Sequence, residues 1–353
     1  MATAKKISIL SSNSHKESPT ISSRSINYNS KTYNFDFIKI NPRDFDICAV
    51  MSPNGIETAV DYNDFLKLSQ QKPVAMINGI PFDTVTHDLS GSVISHSKLY
   101  YVEAGTPECI GIDSSGRPFY EEGTFQVILT TDTGRTLKTY SINQKSWGGF
   151  TIYTNWYKKE ISVPDDYLVV KINKYGVVVQ KSFGVYVSFI NPATLADGEF
   201  YILAYNFDYN PKDPSIEILN EAKSISLSVK INNREVYSLN SSCMLAIQSA
   251  PVVVKSGLPF RGETRYPGNF RMEKYGPRAF VGFDKNGYFY FIVCKTSVSF
   301  VKDNVSEALA SLKIFDYVLS LDGGGSTTLY YNGKYLYTPG RDLVNVLMVL
   351  PQG

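Results

Sequence analysis

The chain has 353 residues with a formal net charge of +2, and 43% of them are hydrophobic against 19% charged. That balance supports a large core and excludes global disorder, and with no basic block there is no footprint for a nucleic-acid backbone. No stretch approaches the roughly 18 apolar residues of a membrane-spanning helix, and Ile7 to Leu10 is too short for the hydrophobic region of a secretory signal. The expectation is a protein without a signal peptide, cytoplasmic or virion-associated.

From the N-terminus, residues 11–30 are rich in Ser and Asn and read as a mobile tail or an early edge element. We take residues 1–30 as a flexible or docking tail. No Pro/Gly-rich linker divides the rest, so 31–353 is expected to be one domain. Strand-like runs of β-branched and aromatic residues then follow. They are Phe35 to Ile40, Phe125 to Thr130, Phe150 to Thr154, Tyr167 to Ile172, Gly184 to Phe189, Phe200 to Tyr205 and Ser224 to Ile231.

Two helices stand out. Asp61 to Gln71 carries Phe65, Leu66 and Leu68 on its buried side and is stopped by Pro73. Val305 to Ile314 places Val305, Ala308, Leu309 and Leu312 on one face, with Asn304 and Glu307 spaced as a capping box. These elements predict an α+β fold: a β-rich domain of mixed or antiparallel sheets with a few packed helices.

Each helix feeds an apolar run and then a polar loop containing Gly. After the first come Val74 to Ile77 and the loop Asn78-Gly79-Ile80-Pro81-Phe82-Asp83; after the second come Tyr317 to Leu321 and Asp322-Gly323-Gly324-Gly325-Ser326-Thr327. Ligands sit beyond strand carboxyl ends in such arrangements, so the two loops are expected to converge on one cleft. Consecutive glycines let backbone N–H groups approach an anion closely, and Ser326 and Thr327 hydroxyls add donors. The plainer alternative is a tight hairpin turn between Tyr317 to Leu321 and Thr327 to Tyr331. The run is neither a P-loop nor a dinucleotide fingerprint.

His87 and His96 read as exposed rather than functional, and Trp147 and Trp156 as core anchors more than sugar platforms. Asp284 reads as a turn residue between strands. Cys48, Cys109, Cys243 and Cys294 form no CxxC pair, so free thiols are expected and a zinc site is not.

In company, these segments resemble the phosphodiester glycosidase family. Leu321 to Thr328 matches its LDGGGSTT run, and Pro277-Arg278-Ala279 with Gly282, Asp284 and Gly287 matches its PR-A-x-GxD-x-G block. Arg341, Val344, Asn345, Leu347 and Val349 match its final strand, and Asn78, Gly79 and Phe82 its NGxxF loop. Ile142-Asn143 with Ile152-Tyr153-Thr154, and Pro251 to Gly257, match two further blocks in the family's order. Ile80-Pro81 and Cys294-Lys295-Thr296 depart from it, with Lys295 a candidate replacement for a missing positive charge.

The resemblance implies a hydrolase of sugar-1-phosphodiesters, in a glycan, a teichoic-acid-like polymer or a modified nucleotide. The alternative is a non-catalytic phosphosugar-binding component of an assembly such as a bacteriophage virion or a homo-oligomer. Asp322 and Asp83 are the candidate catalytic carboxylates, as acid/base or oxocarbenium-stabilising groups, or as holders of a shared divalent cation, with a helix or turn cap as the alternative for Asp83. Arg278 and Arg341 are the candidate phosphate clamps, with structural salt bridges or the capping of loop carbonyls as the alternative. Asn78 and Gly79 are candidates for sugar contacts, and Gly323, Gly324, Gly325, Ser326 and Thr327 for the phosphate.

Overall fold

A computed structural model describes residues 17–56, 58–68, 71–105, 108–144, 149–205, 214–239, 241–260 and 274–352. Among these residues lie 28 strands and three short α-helices: α1 (Tyr62–Leu68), α2 (Ser215–Glu221) and α3 (Val305–Ser311). The strands form one sheet of seven, three of five, one of four and one of two. The ladders around the cleft are antiparallel throughout. A parallel contact occurs as an isolated bridge between Ile142 and Ile152.

Burial explains the sequence texture. The strand Phe289–Val298 lies inside the seven-stranded sheet and is apolar on both faces. Phe289, Phe291 and Val293 enter the central core, while Tyr290, Ile292 and Cys294 enter a second core beneath α3. A strand covered on both sides therefore reads as a continuous hydrophobic run. Phe45–Met51, by contrast, alternates buried and half-buried residues, as a strand with one covered face does. The central core joins the seven-stranded sheet to the five-stranded sheets containing Ile77 and Ile110.

The Gly-rich run is not a hairpin. Tyr317–Gly323 belongs to the seven-stranded sheet, whereas Leu329–Tyr331 pairs with Ala75–Asn78 in a different one. The chain crosses between sheets through a tight turn at Gly324–Ser326. This crossing brings the polar loop after α1 and the polar loop after α3 together.

Several expectations are revised. Helix α1 buries Phe65 but leaves Leu68, expected on its buried side, 41% exposed. At the start of α3 the Asn304 side chain makes no cap bond; the Asn304 N–H donates to the Tyr33 hydroxyl at 3.0 Å instead. The expected strand from Gly184 to Phe189 begins as a 3₁₀ turn, Gly184–Tyr186. A Cβ on Gly184 would stand 1.7 Å from the Pro164 carbonyl oxygen, so the residue serves a close backbone approach. Thr20–Tyr28, from the Ser/Asn-rich segment, is the edge strand of the seven-stranded sheet. The expected tail before residue 17, and Trp147, lie outside the described residues. Asp284 accepts from the N–H groups of Asn286 and Tyr288 in the turn joining Gly276–Phe283 to Phe289–Val298. All four cysteines are free thiols.

Candidate functional site

The two loops are stitched together by amide side chains. Asn78, 1% exposed at the end of its strand, donates from Nδ2 to the Asp322 carbonyl at 2.8 Å. Its Oδ1 accepts from the Thr328 N–H at 3.1 Å, and the Asp322 N–H donates to the Gly79 carbonyl at 3.1 Å. Asn345 repeats the device on the neighbouring strand, binding both the N–H and the carbonyl of Ile80. It passes so close that a Cβ on Gly79 would stand 1.6 Å from Asn345 Oδ1. Asn78 and Gly79 therefore frame the site and are not part of the cleft wall, where a sugar contact was expected of them.

Beside this frame opens a cleft of about 400 Å³. Its walls carry Phe82, Asp83, Ser90, Lys274, Tyr275, Arg278, Phe300, Gly323 to Gly325, Asp322 and Arg341. The convergence expected of the two loops is thus present in the geometry.

Asp322 is the most constrained charged group in it. Oδ1 accepts from the Gly323 N–H at 2.8 Å and Oδ2 from Arg341 Nη2 at 2.6 Å. Burial pushes its carboxyl above the ordinary range, while Arg341, Ser326 and the Gly323 N–H pull the other way. Arg341 is fixed in turn. Its Nε donates to the Ser326 hydroxyl at 2.6 Å and its guanidinium lies 4.9 Å from the centre of the Phe82 ring.

Arg278 differs. Nε donates to the Val298 carbonyl at 3.3 Å, Nη2 donates to the Lys274 carbonyl, and the guanidinium stacks 4.6 Å from the centre of Phe300. These partners are neutral. Burial holds its pKa below the usual arginine value, with Asp322 opposing.

Each glycine has its own reason. A Cβ on Gly323 would come within 3.0 Å of Arg278 Nη1, and Gly324 has a φ of +60°, a left-handed conformation that side chains resist. Gly323, Gly324 and Gly325 line the cleft, whereas Ser326 and Thr327 are fully buried behind it. The Thr327 hydroxyl donates inward to the Pro277 carbonyl at 3.2 Å, and the Ser326 hydroxyl positions Arg341. The expected hydroxyl donors to a phosphate are spent on the scaffold.

Asp83 lines the same cleft but is tied to a turn. Its Oδ1 accepts from the Val85 and Thr86 N–H groups at 2.7 and 2.9 Å, and these bonds hold its carboxyl below the ordinary range. Lys295 is directed elsewhere: it pairs with Asp36 at 3.0 Å across the neighbouring strand and takes no part in the cleft. His96 pairs with Asp46 at 2.7 Å, and Trp156 packs edge-on to Tyr100 with centroids 4.5 Å apart, both away from the cleft. His87 sits near Phe82, with ring centroids 6.2 Å apart.

Among the described residues no three His, Cys, Asp or Glu side chains gather as a metal site. At Asp322 the cationic partner is a guanidinium. Lys274, Tyr275, Phe300 and Ser90 escaped the sequence reading, since nothing local marks a surface residue that tertiary approach turns into a wall. The Asn143 block now has a mechanical meaning. Asn143 Nδ2 donates to the Thr154 hydroxyl at 2.7 Å, and Oδ1 accepts the Thr154 N–H at 2.7 Å.

Fold and site together define an antiparallel β-sheet protein whose polar cleft combines a clamped carboxylate with a half-buried guanidinium that, among the described residues, is hydrogen-bonded to carbonyls. The family model for phosphodiester glycosidase matches residues 169–350, just over half the chain, and the chain belongs to that family. The matched span contains Arg278, Asp322 and Arg341, while the Asn78 loop precedes it.

No curated protein sequence matches the chain. Among solved structures, a hypothetical protein from Synechocystis is similar with a TM-score of 0.70 and 17% identity. The likeness covers 94% of this chain but 61% of that one, so this chain spans about three fifths of its relative's length. A putative exported protein from Burkholderia pseudomallei has a TM-score of 0.64 and 13% identity, covering 91% of this chain and 74% of that one. The zebrafish N-acetylglucosamine-1-phosphodiester alpha-N-acetylglucosaminidase catalytic domain, auto-inhibited by its pro-peptide, has a TM-score of 0.51 and 14% identity. That likeness covers 97% of this chain and 85% of that one. At these identities the likenesses establish the fold.

Proposed function

We propose that the cleft hydrolyses the bond between the anomeric carbon of a sugar and a phosphodiester oxygen. The observation that carries this is Arg278, a half-buried cation that among the described residues is bonded to carbonyls and an aromatic face and to no carboxylate. A partly desolvated guanidinium hydrogen-bonded to neutral carbonyls is stabilised by an anion arriving in the cleft, and its planar fork suits two phosphate oxygens. Lys274 on the same wall adds a second positive charge. Family membership and the substrate class named for the zebrafish relative support the reading.

In this scheme the phosphate lies towards Arg278 and the sugar towards Asp322. As the bond from the anomeric carbon to the phosphate oxygen breaks, its electron pair leaves with the phosphate, where the cations stabilise the growing charge. A phosphate is a good leaving group, so strong acid assistance is dispensable. The Asp322 carboxylate, aimed by Arg341 and the Gly323 N–H, stabilises positive charge on the sugar ring and accepts the proton of the attacking water. Asp83, bonded into its turn, shapes the entrance.

The test is incubation of the purified chain with an N-acetylglucosamine-1-phosphodiester, and with other sugar-1-phosphodiesters, measuring free sugar, with Asp322→Ala as control. Sugar release by the wild type and not by the variant is expected. Retained glycan binding without release from any of them sinks the reading in favour of a binding module.

A further inference from the structure

On the cleft wall, Tyr275 is 56% exposed. Cations surround it: Lys31 Nζ lies 5.3 Å and Lys302 Nζ 6.0 Å from its ring centre, and Lys274 precedes it in the chain. These lysines are not equivalent. Lys31 is spent on the scaffold, with Asp303 at 2.8 Å and the Ser297 carbonyl at 3.0 Å. Lys274 and Lys302 are exposed. Arg278 on Phe300, Lys274 and the Tyr275 ring thus share the cleft wall, and Lys302 lies outside that wall within reach of the same ring.

We propose that the substrate is a chain of phosphate-linked sugars, one unit held in the cleft and the continuing chain laid over Tyr275 towards Lys302. This rests on the phosphodiester reading of the cleft. A phosphosugar polymer alternates a ring face with a doubly liganded phosphate, and the rim alternates an aromatic face with a cation. Tyr suits a sugar face because its ring is apolar and its hydroxyl stays in water. Lys302 lies outside the cleft wall, so a substrate with one phosphodiester has no group to offer it. A nucleic acid shares the negative charge but calls for a row of stacking platforms along a basic groove. A chain of net charge +2 fits the sugar polymer better.

The test compares a sugar-1-phosphodiester bearing one phosphate with an oligomer of several phosphate-linked sugar repeats, using the full chain and Lys302→Glu. The variant is expected to raise KM for the oligomer about fivefold with kcat retained, and to leave the one-phosphate substrate unchanged. Added salt should weaken the wild type's KM for the oligomer in the same way. An equal effect on both substrates, no effect on the oligomer, or competition by single-stranded DNA as strong as by the oligomer overturns the proposal.

Fluorescence anisotropy of labelled oligomer keeps the two readings separate. Lys302-dependent binding with neither substrate cleaved defeats the glycosidase reading and leaves the rim standing. Cleavage of the short substrate with oligomer binding indifferent to Lys302 does the reverse. A melting curve for Lys302→Glu matching the wild type shows that the exposed substitution has not disturbed the fold.

Discussion

The two walls of the cleft carry arginines in opposite states. On the wall formed by the sheet crossing, Arg341 and Asp322 neutralise each other, with Ser326 and the Gly323 N–H completing the set. On the neighbouring strand, where it pairs with Gly323, Arg278 is half-buried against Phe300 with two carbonyl oxygens for partners. The first wall is electrostatically closed and orients a carboxylate. The second retains a positive charge that no carboxylate pairs with among the described residues, and charge left open in a concave site marks where a ligand's opposite charge belongs. Presence of a guanidinium alone says little about role; what it is already bonded to says more.

The strongest way to break this division is at Asp322. Asp322→Asn keeps the shape and an oxygen for Arg341 but removes the carboxylate charge. Sugar release should fall by about 10³-fold, within the range for loss of a positioned acid/base group. Melting temperature and oligomer binding should change little. Activity within tenfold of wild type would move the chemistry elsewhere in the cleft.

The next largest effect separates the arginines. Arg278→Met should lower kcat/KM by about 10²-fold, the scale for one lost charge-stabilising donor. It should leave stability little changed, because a half-buried cation without a carboxylate partner among the described residues is removed and its stem volume kept. Arg341→Met should instead destabilise the chain by about 1–3 kcal/mol, because it strands the Asp322 carboxylate in a partly buried pair. Denaturant titration of the two variants decides the matter. Equal destabilisation would erase the distinction between the walls.

A third region sharpens the contrast from the acid side. Glu108 is 1% exposed on the sheet beneath the cleft, and its Oε2 has no hydrogen-bond partner among the described residues. Burial raises its carboxyl from 4.5 to about 7, with Glu122 adding to the rise and Lys255 opposing it. Facing it are Glu122 and Tyr120 on one neighbouring strand and Ser249 on the other. Lys255 is bonded to Glu122, and Tyr317 is stacked on Tyr120.

The proton favours the folded state, so this stabilisation is complete below pH 4.5 and is lost as pH rises through about 7. The shift corresponds to roughly 3 kcal/mol. Glu108→Gln should flatten that decline in denaturant titrations across the window. An unchanged slope would show that Glu108 titrates normally.

Much of this fold was legible where a local pattern and its tertiary use agree. Val305, Ala308 and Leu309 fall on one helical face, and that face is buried. Asp322 with its glycines was legible because a run of three glycines is hard to explain without a close approach, and Gly323 against Arg278 is one. Legibility failed where partners come from far along the chain. Asn304 and Glu307 have the spacing of a capping box, yet Tyr33, 271 positions away, takes the Asn304 N–H. Gly184 sits in an apolar run that reads as strand, and the Pro164 carbonyl that forbids a side chain there is invisible locally. Ser326 and Thr327 look like ligand donors until Arg341 and Pro277 are seen to occupy them. Helix α2 was missed although Ile218 and Leu219 are buried beside the strand Leu168–Ile172, because its seven residues give the helical period too little length to show.

The smallest expected effect concerns Asp83, whose position in the cleft invites a catalytic role. Its Oδ1 accepts two backbone N–H groups, and the turn from Asp83 to His87 is closed by a further bond from the His87 N–H to the Asp83 carbonyl. Asparagine retains an acceptor oxygen, so Asp83→Asn should keep the loop and alter the charge at the entrance alone. Removing a negative charge from a cleft that receives a phosphate should lower KM modestly, by less than about fivefold, with kcat held within twofold of wild type, as for an exposed charge in water. A catalytic partner of Asp322 would behave differently: kcat would fall by about 10²-fold or more and its pH profile would lose one limb. Measuring kcat and KM separately across pH in this one variant therefore assigns the second carboxylate either to the chemistry or to the shape of the entrance.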